Sequence, residues 1–352
     1  FRVLDRDEPE KLAQLHRQFW NHGGAAVLVV VTPTVAHIYS GMVRPEFDDE
    51  GGAASLVDTL SRVSAELKQF VTSVESGAFF HQHRKSFDPS KRVDRDLLGS
   101  LKNARERLGE ISKKRVSSDA LDALLCRLVF ASYLFDRGVI GQDYLAELGL
   151  SESANLRDVL SLQPGSRAKD ALYQLFDQLR LDFNGDLFND DLIAEKGLIG
   201  VEHVRVIRDF FNGTDPKTGQ QSFWPYDFGI IPIETISAIY ERFLKPDDKA
   251  KGAFYTPRFL AEVVIDAALM GQTKILGRTF LDPACGSGIF LVGLFNRLAE
   301  EWTQTNPQAS NARRSRELMR LLQGSLFGVD TSRTACRIAA FSLYLAYLDQ
   351  LT

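Results

Sequence analysis

No apolar run in this 352-residue chain approaches the roughly 20 residues that a membrane-spanning helix needs, so nothing in it reads as a membrane anchor. A secretory leader is also missing, and the first residue is Phe1 rather than Met, so the sequence is expected to lack its start. Cysteine is scarce: Cys126, Cys285 and Cys336 are scattered and form no CxxC pair. That argues against a zinc ribbon or a disulfide scaffold and fits a reducing cytoplasm, where the protein is expected to reside, away from any membrane. A strong charge of one sign is missing too. The net charge is −4, so the whole chain does not read as a nucleic-acid binder.

What is present is an ordinary globular balance, 44% hydrophobic and 25% charged, in a chain long enough for two or three domains. One local departure stands out. The stretch from His81 to Arg115 carries eleven Lys and Arg against five Asp and Glu. It reads either as a solvated helix face with i,i+4 charge pairs or as a phosphate-facing surface, with Arg84, Lys85, Lys91, Arg92 and Arg95 as the candidate DNA contacts.

Periodicity predicts three regions in a mixed fold. Residues 1–90 read as a small α/β segment. "PEKLAQLHRQFWN" has a helical face and "AAVLVVVTPTVAHIYSG" a hairpin, and "LVDTLSRVSAELKQFVTSVESG" returns to helical spacing. Residues 91–245 read as mostly helical. Asp96 or Ser100 is the expected start of one helix. Ser117/Ser118 caps a second, "DALDALLCRLVFASYLFDRGVI", apolar on most sides and therefore central. "GIIPIETISAIYERFL" reads as a helix from Pro232 to Leu244, and the charged stretch "KPDDKAKG" is the expected boundary. Residues 246–352 then alternate helix (Pro257–Leu269), strand (Thr279–Asp282), helix (Gly288–Trp302), polar loop, strand (Leu326–Asp330) and helix (Ser332–Leu351). That order is the beginning of a doubly wound α/β sheet.

In "TFLDPACGSGIFLVGLFNRL", an apolar strand enters a turn of small residues and a helix follows at once. Gly286 and Gly288 let the backbone pass close under a ligand, and the helix directs its free N–H groups at it. A P-loop would need a Lys after the glycines, and none follows. A dinucleotide fingerprint would need a third glycine where Leu291 stands. An S-adenosylmethionine fold wants an acid ending the first strand and another ending the next, and Asp282 and Asp330 supply them. Asp330 comes later than the roughly 20 residues of a simple βαβ unit, an excess the polar insert "TQTNPQASNARRSRE" accounts for.

Three motifs in order carry a resemblance. "DPACGSGIF" is similar to motif I of the N6-adenine DNA methyltransferases of restriction–modification and phage-defence systems. "GAFYTP" (252–257) resembles the motif that precedes it, and "GVDTSRTACRIAAFSLYL" resembles motif II. Residues 1–245 more loosely resemble the amino-terminal regions of single-chain type IIG enzymes. The resemblance implies a Rossmann-like class I methyltransferase sheet, S-adenosyl-L-methionine as cofactor and double-stranded DNA as substrate. It also allows partnership with other restriction–modification or defence subunits. Phe254, Tyr255, Thr256 and Pro257 would lie against the methionine end, Asp282 and Pro283 would face its ammonium side, and Ala284, Gly286 and Gly288 would form the floor. Phe290 would pack the loop, and Asp330 would hold the ribose. Cys285 reads as a packed turn residue, since adenine methylation needs no covalent enzyme intermediate.

The chemistry of the transfer demands more. The adenine amine is a poor nucleophile, so the base must be flipped out, stacked, and have its N–H groups held by acceptors. The family does this with [DNS]-P-P-[YF], and this sequence has none; "TNPQ" lacks the second proline and the aromatic. The expectation is an amino-terminal fragment, inactive by itself, that ends before the catalytic motif. A nuclease at the front would show an acid on one strand and Glu-x-Lys on the next. Glu66-Leu67-Lys68 sits in a helical pattern, and the hairpin carries no carboxylate. His81 and His83 lack carboxylate companions for a metal. The other functional class is a docking module of a defence complex with a non-catalytic cofactor fold.

Overall fold

A computed structural model describes residues 1–45, 55–61, 63–113, 115–182, 191–214, 224–232, 235, 256, 258–331 and 333–351. The fold is mixed α/β and mostly helical, and the described residues form one sheet of four strands and one of two. It divides into two compact units, residues 1–111 with 205–232, and residues 112–204 with 233–352.

The first unit is built on the sheet β1 (Arg2–Val3), β2 (Val27–Val31), β3 (Ala36–Ser40) and β4 (Leu56–Leu60), in that order. β1 runs parallel to β2, and the other pairs are antiparallel. The run "VLVVV" is apolar at every position because both faces of β2 are covered. Val29 faces Ala36, Ile38 and Leu60 under Phe70 and Phe79. Leu28 and Val30 face Tyr39 and Leu12, the last on α1 (Pro9–His22). The first of these faces is closed by α2 (Val63–Glu75) and α3 (Ala78–Gln82). Two expectations change here. Leu56–Leu60 is a strand and not the start of a helix, because β3 offers it an edge to pair with. The helix α4 (Val93–Ser112) begins ahead of Asp96, with Leu97, Leu101, Ala104 and Leu108 all buried on its inner side.

Residues 205–232 complete this unit from far along the chain. Trp224 and Tyr226 stack edge to face at 4.9 Å, and Tyr226 lies 5.8 Å from Trp20. The Asn21 side chain donates to Pro225 O at 2.8 Å and accepts from Asp227 N at 2.9 Å. The Tyr226 hydroxyl meets Asp96 and Ser100 on α4.

In the second unit, α5 (Ser118–Asp136) is the central helix that its composition implies. Ser117 caps it by accepting from Ala120 N, and its residues 128–131 and 133–134 are almost completely buried. Around it lie α6 (Gln142–Glu147), α7 (Leu156–Ser161), α8 (Gly165–Asp182), α9 (Leu192–Leu198) and the first turn of α10 (Val201–Phe211). Arg127 on α5 is completely buried and ion-paired with Glu195, whose other oxygen accepts from the Tyr173 hydroxyl at 2.8 Å. The rest of the unit is α11 (Arg258–Leu269), β5 (Phe280–Asp282), α12 (Ile289–Thr305), α13 (Asn311–Ser325), β6 (Leu326–Gly328) and α14 (Arg333–Asp349). β5 and β6 pair in parallel, Phe280 opposite Leu326 and Asp282 opposite Gly328. Phe130 of α5 packs on Phe341 of α14 at 4.6 Å, and Tyr133 and Arg137 both reach Asp349, so α5 and α14 are locked together.

The stretch expected as a polar loop before β6 is in fact a helix. Ser310 caps α13 through Arg313 N, and a narrow stripe of Leu318, Leu321 and Ser325 is enough to bury one side. The expected helix 232–244 and the linker 245–252 lie outside the described residues, apart from residues 232 and 235. Among the described residues, no helix is long and apolar enough to cross a membrane.

Candidate functional site

The turn joining β5 to α12 is fixed by backbone bonds to the end of β6. Val329 N donates to Asp282 O, and Cys285 N donates to Val329 O, both at 2.9 Å. Gly286 and Gly288 adopt φ of 51° and 89°, the left-handed region that a side chain disfavours. Gly288 has a second constraint: a Cβ there would lie 3.0 Å from the Cβ of Ala339 on α14. Gly288 N donates to Cys285 O at 2.7 Å and closes the turn, and Gly288 O starts α12 by accepting from Val292 N at 2.8 Å.

Two carboxylates converge on this turn. Asp282 Oδ1 accepts from Ala284 N at 3.1 Å, and Asp330 Oδ2 accepts from Gly286 N at 3.1 Å. The other oxygen of Asp282, Oδ2, is buried with no hydrogen-bond partner among the described residues. An unpaired buried acceptor costs about 1–3 kcal/mol. Folded proteins rarely keep one without a use, and here it faces a turn whose backbone is already exceptional.

Of the residues singled out from sequence, the turn gathers Asp282, Pro283, Ala284, Gly286, Gly288 and Asp330. Pro283 and Ala284 are exposed, and Phe290 is half-buried in the first turn of α12. Thr256 is half-buried just ahead of α11, while Phe254, Tyr255 and Pro257 lie outside the described residues. Cys285 is 4% exposed, and burial pushes its thiol up to about 12. A thiol held that high is mostly protonated at neutral pH and reacts slowly, in line with its reading as a packed residue. Two residues escaped the sequence reading. A Cβ on Gly328 would meet Leu291 at 2.8 Å and Cys285 Sγ at 3.0 Å, so only glycine lets the turn sit on β6. Ala339 sets the matching limit at Gly288. The glycine in "GVD" is the one available signal, and the helical alanine gives none.

The basic stretch is mixed. Arg84, Lys85 and Lys91 are exposed on two short 3₁₀ turns, Arg84–Ser86 and Pro89–Lys91. Arg92 is occupied: it donates to Gly23 O and to Asp94, each at 3.3 Å. Arg95 also lies 3.9 Å from Asp94. At the front, Glu66 and Lys68 are on α2, and the strand β4 does carry a carboxylate, Asp58, which the sequence pattern had assigned to a helix. It pairs at 3.6 Å with His83, and no cluster of three or more metal-ligating side chains occurs among the described residues.

Comparison with known proteins places the second half of the chain. Residues 232–350 match the N-6 DNA methylase family model. The methylase subunit of the type I restriction enzyme MjaIX from Methanocaldococcus jannaschii is 30% identical over 116 residues, covering 32% of this chain and 17% of that protein. The adenine-specific methyltransferase PglX from Streptomyces coelicolor is 29% identical over 111 residues, covering 31% of this chain and 9% of that one. The chain therefore matches under a fifth of either relative's length. A cryo-EM structure of a DrdV–DNA complex aligns over 99% of this chain and 31% of its own at 15% identity and a TM-score of 0.36, too low to support an argument. Residues 232–350 are thus similar to the N-6 DNA methylase family and to segments of these two methylases.

Proposed function

We propose that this N-6 DNA methylase segment is the cofactor-binding part of an S-adenosyl-L-methionine-dependent DNA adenine-N6 methyltransferase serving restriction–modification or phage defence. Its parallel β5–β6 pair is the start of a Rossmann-like class I sheet. One observation carries the reading: the buried Asp282 Oδ2, unpartnered among the described residues, at a turn whose two glycines take a left-handed backbone. S-adenosylmethionine is cationic and brings ammonium and hydroxyl donors, so it fits a site whose open valence is a carboxylate oxygen.

The roles divide among this chain's own residues. Asp282 accepts the donor that its neighbours do not supply. Asp330 orients the Gly286 peptide and faces the ribose hydroxyls. Gly286 and Gly288 form a floor without Cβ atoms, and the first turn of α12 closes its far side. By the motif resemblance, Thr256, with Phe254, Tyr255 and Pro257, would serve the methionine end. When bound, the cofactor supplies a methyl group on a sulfonium, ready for displacement by an amine. The acceptors that must hold the adenine N–H groups are not among the motifs of this chain. Double-stranded DNA is the substrate of the whole assembly, with Arg84, Lys85 and Lys91 as its backbone contacts in the first unit and Arg92 and Arg95 in support.

Asp330→Ala in the full-length protein is expected to weaken S-adenosylmethionine binding by about 1–3 kcal/mol, the scale of a lost charged hydrogen-bond partner. Calorimetry on a variant shown to be folded reads this directly. An unchanged dissociation constant would remove Asp330 from the site.

A further inference from the structure

Cys285 and Cys336 are far apart in sequence but share one small cluster. Cys285 is in the turn between β5 and α12, and its Sγ is pressed against β6, where Gly328 leaves room for it. Cys336 is in the first turn of α14, half-buried, and packs on the same group of Cys285, Leu291 and Ala339. Its Sγ lies 3.8 Å from Asp330 O, and its side chain packs against the cluster that holds the Cys285 thiol. The third cysteine, Cys126, is buried on α5 and belongs to no such pair among the described residues.

We infer that Cys285 and Cys336 form a disulfide when a low-molecular-weight disulfide such as oxidised glutathione accumulates, and that this cross-link closes the cofactor site. The first half is independent of the ligand; the second rests on reading the turn as an S-adenosylmethionine floor. The half-buried Cys336 is the entry point, because Cys285 is buried and its thiol is held up to about 12. The Cys336 thiolate attacks one sulfur of glutathione disulfide and releases one glutathione thiolate, which takes up the proton. Cys285 then loses its proton and attacks the Cys336 sulfur of the mixed disulfide, and the second glutathione leaves. Two protein thiols are oxidised to one disulfide, and one glutathione disulfide is reduced to two glutathiones.

The cross-link distorts the turn because the geometry has no slack. A sulfur–sulfur bond is about 2.05 Å long, so two thiols that only pack together must approach by on the order of 1 Å or more. The turn cannot give that distance freely: Gly288 already leaves a notional Cβ only 3.0 Å from Ala339, and Gly286 N–H is spent on Asp330. Moving Cys285 therefore moves the peptide that joins it to Gly286, whose N–H is held by Asp330.

The test uses the full-length protein, reduced or treated with oxidised glutathione. Intact mass is expected to fall by about 2 Da, the two hydrogens lost, and peptide mapping to join Cys285 to Cys336. Calorimetry with S-adenosylmethionine is expected to show at least a tenfold loss of affinity, reversed by dithiothreitol. Cys336→Ser should form no cross-link and keep its affinity through the same treatment. A glutathione adduct without a cross-link, or a cross-link through Cys126, would overturn the disulfide. A cross-linked protein that binds as tightly as the reduced one would overturn the closure. If the reduced protein binds no S-adenosylmethionine, the cofactor reading fails and closure with it, while the mass shift decides the disulfide by itself.

Discussion

Two carboxylates in the second unit, Glu195 and Asp282, differ in how far they are satisfied. Glu195 is buried in the helical region with both oxygens taken, one by Arg127 and one by Tyr173. Asp282 ends a strand with one oxygen taken and the other buried and unpaired. A charge whose oxygens are both paired inside a protein holds its neighbours in place. A charge left half-paired costs stability and keeps the capacity to accept one more donor. Burial alone therefore does not separate a structural acid from a ligand-binding one; the number of satisfied lone pairs does.

Breaking the first site should give the largest effect. Arg127→Met leaves Glu195 buried without its partner and is expected to cost about 3–5 kcal/mol in chemical denaturation. A loss below about 1 kcal/mol would mean the pair is not desolvated as described. The second site should respond the other way. Asp282→Asn removes a charge that no ion pair among the described residues neutralises, so stability should hold within about 1 kcal/mol while S-adenosylmethionine affinity falls by about 1–3 kcal/mol. A variant that lost stability and kept affinity would reverse the assignment of the two carboxylates. The smallest effect tests the first unit. Arg84→Glu, Lys85→Glu and Lys91→Glu together should lower DNA affinity in the full-length protein. They should also flatten the log–log salt dependence, by a slope of about 0.9 for each phosphate that is no longer neutralised. Unchanged binding across a salt titration would leave these three as solvated surface charges.

Legibility from sequence followed the same line between local and non-local information. The hairpin of β2 and β3 was readable because a Thr-Pro-Thr turn separates two strand-like runs, and α5 because Ser117 precedes a segment apolar on most sides. β4 was not, since Leu56–Leu60 runs straight into a helical face and becomes a strand only by pairing with β3. α13 was hidden by its own arginines, which mask a buried stripe of three residues. At the site, the small residues and strand-ending acids were visible as a pattern. The bond from Gly286 to Asp330, the fit of Gly328 under Cys285, and the open valence of Asp282 depend on residues that come together only in three dimensions. Glu195 had no local signal at all, as its partner stands 68 positions earlier.

The way Asn21 clasps residues 225 and 227 has a consequence for synthesis. The first unit is written in two pieces, with residues 112–204 between them. As the chain leaves the ribosome, the sheet and α4 are complete long before Trp224 and Tyr226 arrive to cover Trp20. At about 5–20 residues per second, that wait is roughly 5–25 s. During it, an aromatic surface that later becomes interior stands open to water and to other nascent chains. The amino-terminal half of this protein is therefore the part that most needs a chaperone's attention, and a stalled or truncated transcript ending before residue 224 should yield an aggregating product.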